Sequence, residues 1–375
     1  MRIGIVDAEI IGKKRHRFPN LASMKISAYH KSKGDEVELL LSYNDVSLYD
    51  KVYISKVFTE TPVPNEVLKQ PNVEYGGTGF FYDKAPALPD EIEYIKPDYH
   101  LYDKWVKNCL ESGVTRSSLQ YYLDFSLGFA TRGCFRKCSF CVNKNCTKSV
   151  RQGSITKWLS EDRPYICLLD DNVFACPQWR EVFKELHATG KRFQFKQGCD
   201  ERLLTAEKCK ELFEKSKWIG DYIFAFDNYK DKEIIVHKLD LLRKHTSKIL
   251  KFYCFCGFNH DAEIYDNDFW VRDLYELFSR IKILMQYGCL PYIMRHENYN
   301  KSPFRGMYIT VARWCNQPTF YKKLSFREYC TITNGIGSAA YRYLTEFEKL
   351  HPHFQSFFDM KLENENKFTG GAKNG

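Results

Sequence analysis

Apolar and polar positions along the chain change period several times, and each change marks an element. Residues 2–6 form a short β-rich run, and 21–31 carry Leu21, Met24, Ile26 and Tyr29 at helical spacing. Gly34 stops that helix, 37–41 reads as the next strand, and 51–58 as a third after a turn at Tyr49 and Asp50. A fourth strand leads into Gly76 and Gly77. Strands alternating with helices at this spacing predict a small parallel α/β domain, Rossmann- or flavodoxin-like, over 1–100. Pro86, Pro89 and Pro97 punctuate the irregular stretch that follows, and 101–122 is a linker.

From about residue 123 the alternation restarts with longer units. Strands are expected at 125–131, 165–169, 192–196, 222–226, 252–255 and 290–294. Helical patterns fall at 179–187, 206–215, 234–245 and 270–287. Six strand–helix units predict a partial (β/α)6 barrel of TIM type over 123–345, with chemistry at the C-terminal strand ends. A closing helix is expected at 337–350. The segment 346–375 then finishes that helix and runs into a tail, disordered at 369–375.

Composition narrows the class. With 44% hydrophobic and 16% aromatic residues in 375, the chain is globular and long enough for two buried cores. A net charge of +9 leans toward an anionic partner such as RNA or a nucleotide, although most of the charge solvates the surface. No apolar run is long enough for a bilayer, and the first residues read as a strand and not a secretory leader. A cytoplasmic protein without a membrane partner is expected. In that setting 14 cysteines are thiols or metal ligands, not a disulfide framework. None precedes Cys109, yet four fall between Cys134 and Cys146.

Cys134, Cys138 and Cys141 form a C-x3-C-x2-C loop directly after a strand. Three thiolates so spaced can hold three irons of a [4Fe–4S] cube and leave the fourth open to a small molecule. Gly133 permits a tight turn, and Arg132, Arg136 and Lys137 favour ionised thiolates. The competing readings are a structural zinc site, with Cys146 as fourth ligand, and a chance group of buried thiols.

With Phe140 at its aromatic position, this loop resembles the C-x3-C-x-aromatic-C signature of the radical S-adenosylmethionine superfamily. The chain is most similar to the group with an N-terminal cobalamin-binding-like domain. The resemblance implies a [4Fe–4S] cluster and S-adenosylmethionine as cofactors, with an electron donor such as flavodoxin or ferredoxin. Reductive cleavage would then make a 5′-deoxyadenosyl radical that abstracts hydrogen from an unidentified substrate, whether small molecule, peptide or RNA. The resemblance also implies site roles. Phe140 packs near the adenine, and Asp170, Asp171 and Asn172 stand where the cofactor's amino group is bound. Arg202 pairs with its carboxylate, Asp227 meets the ribose, and Gly257 lies beside the adenine. A strand-end carboxylate can equally cap the next helix. Ser55, Gly76 and Gly77, with Phe18 to Leu21 before them, resemble a slot for the nucleotide tail of cobalamin. The D-x-H-x-x-G motif is absent, and His16 and His30 lack its neighbours, so cobalamin stays open beside a degenerate domain.

Other features carry weaker readings. The basic run at 13–17 would meet a phosphate or simply be solvated. Cys254 and Cys256 share a strand face, as ligands of a second cluster or as buried thiols; Cys289, Cys315 and Cys330 are scattered. Arg295 and His296 follow the last strand and face the barrel mouth. Trp314, Phe320, Tyr321 and Phe326 read as core. Two alternatives accompany the radical enzyme: a cobalamin-dependent radical methyltransferase, and a non-catalytic metal protein. A tRNA methylthiotransferase is disfavoured, because 1–108 hold no cysteine and the region past Leu350 is short for an RNA-binding barrel.

Overall fold

Arg2–Asp7 (β1) is buried from Ile3 onward, as a strand covered on both faces must be. In this computed structural model, which describes residues 1–12 and 18–362, β1 pairs in parallel with Glu36–Leu39 (β2) and Lys51–Ser55 (β3). Val73–Gly76 (β4) pairs with β3, giving the all-parallel order β2-β1-β3-β4. The expected basic run at 13–17, with His16, and the expected tail at 369–375 lie outside the described residues. The third strand stops at Ser55 and not at 58, because the Glu9 carboxylate accepts the amides of Val57 (3.2 Å) and Phe58 (3.1 Å). The helix Leu21–Ser32 begins where expected, with the Asn20 side chain accepting the Ser23 amide as its cap. Val6, Leu40, Val46, Val52, Ile54 and Val67 form the core beside this sheet.

A second parallel sheet joins Phe125–Gly128 (β5), Tyr165–Leu168 and Arg192–Phe195. Between its first two strands, Thr131–Arg132 (β6) and Val150–Arg151 (β7) form an antiparallel pair that closes the cysteine loop at its base. Tyr165–Leu168 is therefore β8 and Arg192–Phe195 is β9, in the order β5-β8-β9. The single strand expected at 125–131 is broken, because the carboxylate of Asp170 takes the amides of Ala130 and Thr131. The helix Trp179–Ala188 covers this sheet through Phe183, which packs on Phe193 and Phe195.

The chain divides into two compact units, Met1–Lys196 and Gln197–Gly375. In the second, Tyr222–Ala225 (β10), Leu250–Cys256 (β11) and Leu290–Arg295 (β12) form a parallel sheet in the order β10-β11-β12. The helix Asn267–Gln286 buries a stripe running from Phe269 to Leu284 and packs on this sheet. It starts three residues before the periodicity, because Asp266 caps the Phe269 amide at 2.8 Å. Trp314, Tyr321 and Phe326 are buried as expected, and Phe320 is half-buried. The closing helix is Ala339–Leu350, capped by Ser338. The protein is thus α/β, built on parallel sheets. Among the described residues no helix is long and apolar enough to cross a membrane.

Candidate functional site

Cys134, Cys138 and Cys141 lie in the loop between β6 and β7, all partly exposed. Gly133 turns the chain into that loop at φ +89°, and a Cβ there would meet the Lys148 carbonyl oxygen at 2.4 Å, so only glycine fits. The loop is wound by its own backbone. The Cys138 amide donates to the Arg136 carbonyl (2.8 Å), and the Cys141 amide to that of Cys138 (3.0 Å). Several N–H groups aim at sulfur. The Arg136 amide and the Asn172 side chain lie 3.3 and 3.4 Å from Cys134 Sγ, and the Asn143 amide lies 3.4 Å from Cys141 Sγ. Such donors stabilise thiolates and tune a cluster bound to them. Burial pushes the Cys141 thiol up, and the Asn143 amide opposes that rise.

Among the described residues no three His, Cys, Asp or Glu side chains converge on one metal ion. A cube does not require that convergence, because each thiolate binds a different iron. The donor chemistry of the loop, three thiols with N–H groups directed at sulfur, fits such a cluster. Cys146 stays close, since a Cβ on Gly133 would lie 3.7 Å from the Cys146 Cβ.

Asp170, Asp171 and Asn172 follow β8; Asp171 and Asn172 turn toward this loop, and Asp170 toward the β5–β6 junction at its base. Asp170 is fully buried and accepts the amides of Ala130 (2.9 Å) and Thr131 (2.6 Å) and the Thr131 hydroxyl (2.6 Å). Burial pushes its carboxyl up to about 7 against those hydrogen bonds. Asp171 accepts the Gly133 amide at 2.7 Å and the Asn143 side-chain amide at 2.6 Å, and so grips the loop on both sides of the cysteines. The resemblance places these residues on the cofactor's amino group; in the fold both Asp170 oxygens are taken by the chain's own N–H and O–H groups.

Asn143, Tyr82 and Asp83 also hold the loop, and nothing in the local pattern marks them. The Tyr82 hydroxyl donates to the Phe140 carbonyl at 2.6 Å, while Asp83 meets Lys144 and Asn145, each at 3.2 Å. Among the described residues Tyr82 is the one non-glycine with positive φ, +48°, a conformation that persists only where surrounding contacts impose it.

No protein-family model and no curated protein matches this chain.

In the second unit, Arg202 stands in the short turn Glu201–Leu203. Its fork is engaged by Asp200 and Asp231, each at 2.8 Å, so a ligand carboxylate would compete with Asp231. Asp227 accepts the Phe255 amide at 3.0 Å, and burial raises it to about 6. Arg280 is buried beside it and donates to the carbonyls of Phe226, Asp227 and Phe255 (2.8 to 2.9 Å), tying the ends of β10 and β11 together. Gly257, at φ +76°, donates its amide to Asp273 (2.8 Å), which also accepts the Tyr308 hydroxyl (2.7 Å). Asp227 and Gly257 therefore occupy adjacent strand ends, each engaged in organising backbone. Glu201 is fully buried: one oxygen accepts the Ala225 amide at 3.1 Å, the other has no partner, and burial lifts the carboxyl to about 8. Glu201, Arg280 and Asp273 carry no sequence mark, because charges in a turn or helix usually face water.

The guanidinium of Arg295 lies 4.5 Å from the Tyr299 ring, and His296 caps the turn Glu297–Lys301 by accepting the Asn298 amide. Cys254 and Cys256 share a buried face, and burial pushes Cys254 up to about 12. Such thiols belong to the core.

At the end of β1 and β3 the strand order reverses, which in open parallel sheets is where ligands enter. Here the crevice holds the chain's own groups. Ser55 Oγ accepts the Asn20 side-chain amide (2.8 Å), and the Tyr102 hydroxyl donates to Asp7 (2.8 Å) while accepting the Asn20 backbone amide (3.0 Å). All four residues are buried, and burial pushes Asp7 up to about 7. A Cβ on Gly76 would meet nothing within 4 Å. Gly77, at φ +106°, is demanded by its own backbone, since a Cβ there would sit 2.3 Å from the Lys56 carbonyl oxygen. His30 is paired with Asp35 (2.7 Å) and Tyr53 (3.0 Å). Of the slot that their resemblance to cobalamin domains implied, Ser55 is engaged by Asn20 beside Tyr102, Gly77 answers to the Lys56 backbone, and Gly76 opens on free space.

Proposed function

We propose that this protein is a radical S-adenosylmethionine enzyme acting on a substrate still to be identified. The observation that carries the proposal is the three-thiol loop, with N–H groups aimed at two sulfurs and the Asp171 carboxylate gripping both its ends. With it goes a finer fold reading, a partial (β/α)6 barrel of TIM type after a flavodoxin-like sheet, supported by the parallel strands and the order β2-β1-β3-β4. A bound [4Fe–4S] cluster and S-adenosylmethionine would supply one-electron cleavage of the sulfonium and hydrogen abstraction from substrate. In this reading Cys134, Cys138 and Cys141 hold three irons. Asp171 and Asn143 keep the loop in register, and Asn172 with the Arg136 and Asn143 amides tempers the charge on sulfur. Phe140 offers an aromatic face, and Arg202 a guanidinium for a carboxylate. A flavodoxin or ferredoxin would deliver the electron. The filled crevice at Ser55 and Tyr102 weighs against the cobalamin-dependent alternative.

The test is anaerobic reconstitution with iron and sulfide, then reduction in the presence of S-adenosylmethionine. Cluster absorbance and release of 5′-deoxyadenosine are expected, and Cys138→Ala should lose both. A chain with neither cluster nor nucleoside product would sink the proposal, and a fully loaded Cys138→Ala would show that the ligands are wrong.

A further inference from the structure

The thiol loop sits in an unusually basic stretch. Residues 125–160 contain seven Lys or Arg and no Asp or Glu. Acidic partners from elsewhere meet Arg132, Lys144 and Arg151, whereas Lys137 and Lys148 are exposed. Against this stretch lies an aromatic shelf from the ends of β3 and β4. Val57 (45%), Tyr75 (39%), Phe81 (37%) and Tyr82 (40%) are all exposed, where large apolar side chains would ordinarily be covered. The rings of Tyr75 and Phe81 are parallel within 2°, with centroids 5.8 Å apart, and Phe80 packs 4.9 Å from Tyr75. The shelf joins the loop directly. Tyr82 donates to the Phe140 carbonyl, and Lys144 lies 5.5 Å over the Tyr82 ring. On the loop itself Phe135 is 41% exposed, with the Arg136 guanidinium 4.9 Å from its ring.

We infer that this face binds single-stranded RNA. Exposed flat rings and guanidinium planes are what unpaired bases stack on, and a basic stretch without carboxylates takes the phosphates. A protein partner fits less well. Lys56 over Phe80, Lys144 over Tyr82 and Arg136 over Phe135 put a cation at one ring after another. A protein interface needs an apolar centre depleted of charge, whereas base stacking accepts a cation beside every ring. RNA is favoured over DNA because loops and ends of RNA keep bases unpaired. The inference deepens the proposed function by naming a substrate class. Binding itself is independent of the radical reading, and only the chemistry done on the bound strand rests on it.

The experiment is an anisotropy titration of the full chain against a fluorescein-labelled single strand of about twelve nucleotides, without S-adenosylmethionine. Saturable binding is expected, weakening roughly tenfold or more between about 50 and 200 mM salt. The double variant Tyr75→Ala/Phe81→Ala should weaken it about tenfold or more, and Lys137→Glu/Lys148→Glu should weaken it and flatten the salt slope. All four positions are exposed, and circular dichroism checks that the variants fold. Absence of binding at low salt or unchanged affinity in the aromatic variant would each overturn the inference. So would tight binding of an acidic flavodoxin, lost in these variants, with none of RNA. RNA binding by a chain that makes no 5′-deoxyadenosine would leave this inference standing and count against the radical reading; nucleoside formation with no RNA binding would do the reverse.

Discussion

Asp171 shows what one side chain does at the candidate site. It accepts the amide just before Cys134 and the side chain of the second residue after Cys141. Asp171→Ala leaves both donors without an acceptor in a partly buried place, a cost of about 1–3 kcal/mol. We expect urea unfolding to show a loss of that order, and the reconstituted variant to keep less than half of its iron. Asp171→Asn keeps one acceptor oxygen and should fall between. Iron retention equal to wild type in Asp171→Ala would separate the carboxylate from the loop. The cysteines themselves are legible in sequence because their spacing is local. Asn143 is not, since it acts through a carboxylate 28 residues away.

At the level of elements, the paired glycines after β4 divide sharply. Gly77→Ala would press a Cβ to 2.3 Å from the Lys56 carbonyl oxygen at φ +106°, whereas Gly76→Ala meets only open space. A loss of about 2 kcal/mol or more is expected for the first, and a change within about 0.5 kcal/mol for the second, read from thermal unfolding of the two variants. Similar effects of both would mean that something other than the Lys56 backbone constrains the pair. Periodicity located the strands of this domain, but their ends depend on partners far along the chain. Glu9 stops β3 by capping Val57 and Phe58, and Asp170 breaks β5 from β6 by taking Ala130 and Thr131.

For the molecule as a whole, buried carboxyl groups set the pH response. Asp7 and Asp170 are raised to about 7, Asp227 to about 6 and Glu201 to about 8, each chiefly by burial. Their folded values lie above unfolded values near 4, so between the two the folded chain binds more protons. Their contribution is therefore full below about pH 4 and is lost progressively from there up to the folded values, roughly pH 6 to 8. Unfolding free energy should fall across that window. Glu201→Gln cannot ionise, and it is expected to flatten the fall and to exceed wild type by about 2 kcal/mol or more near pH 9. Urea titrations at several pH values check this, and an unchanged slope would show that Glu201 does not drive the fall.

The alternating α/β pattern, the places of the strands and the three-cysteine loop are legible along the chain alone, because periodicity and close spacing are properties of neighbours. What surrounds them is the work of the folded chain. It turned Asp171 onto the loop and Asp170 onto the strand junction before it, and it buried Glu201 with an oxygen that has no partner. It filled the crevice beside Ser55 with Tyr102, and it set an exposed aromatic shelf against the basic stretch around the thiols. Each of these joins residues distant in the chain, where burial and hydrogen-bond satisfaction are settled by packing and leave no local trace.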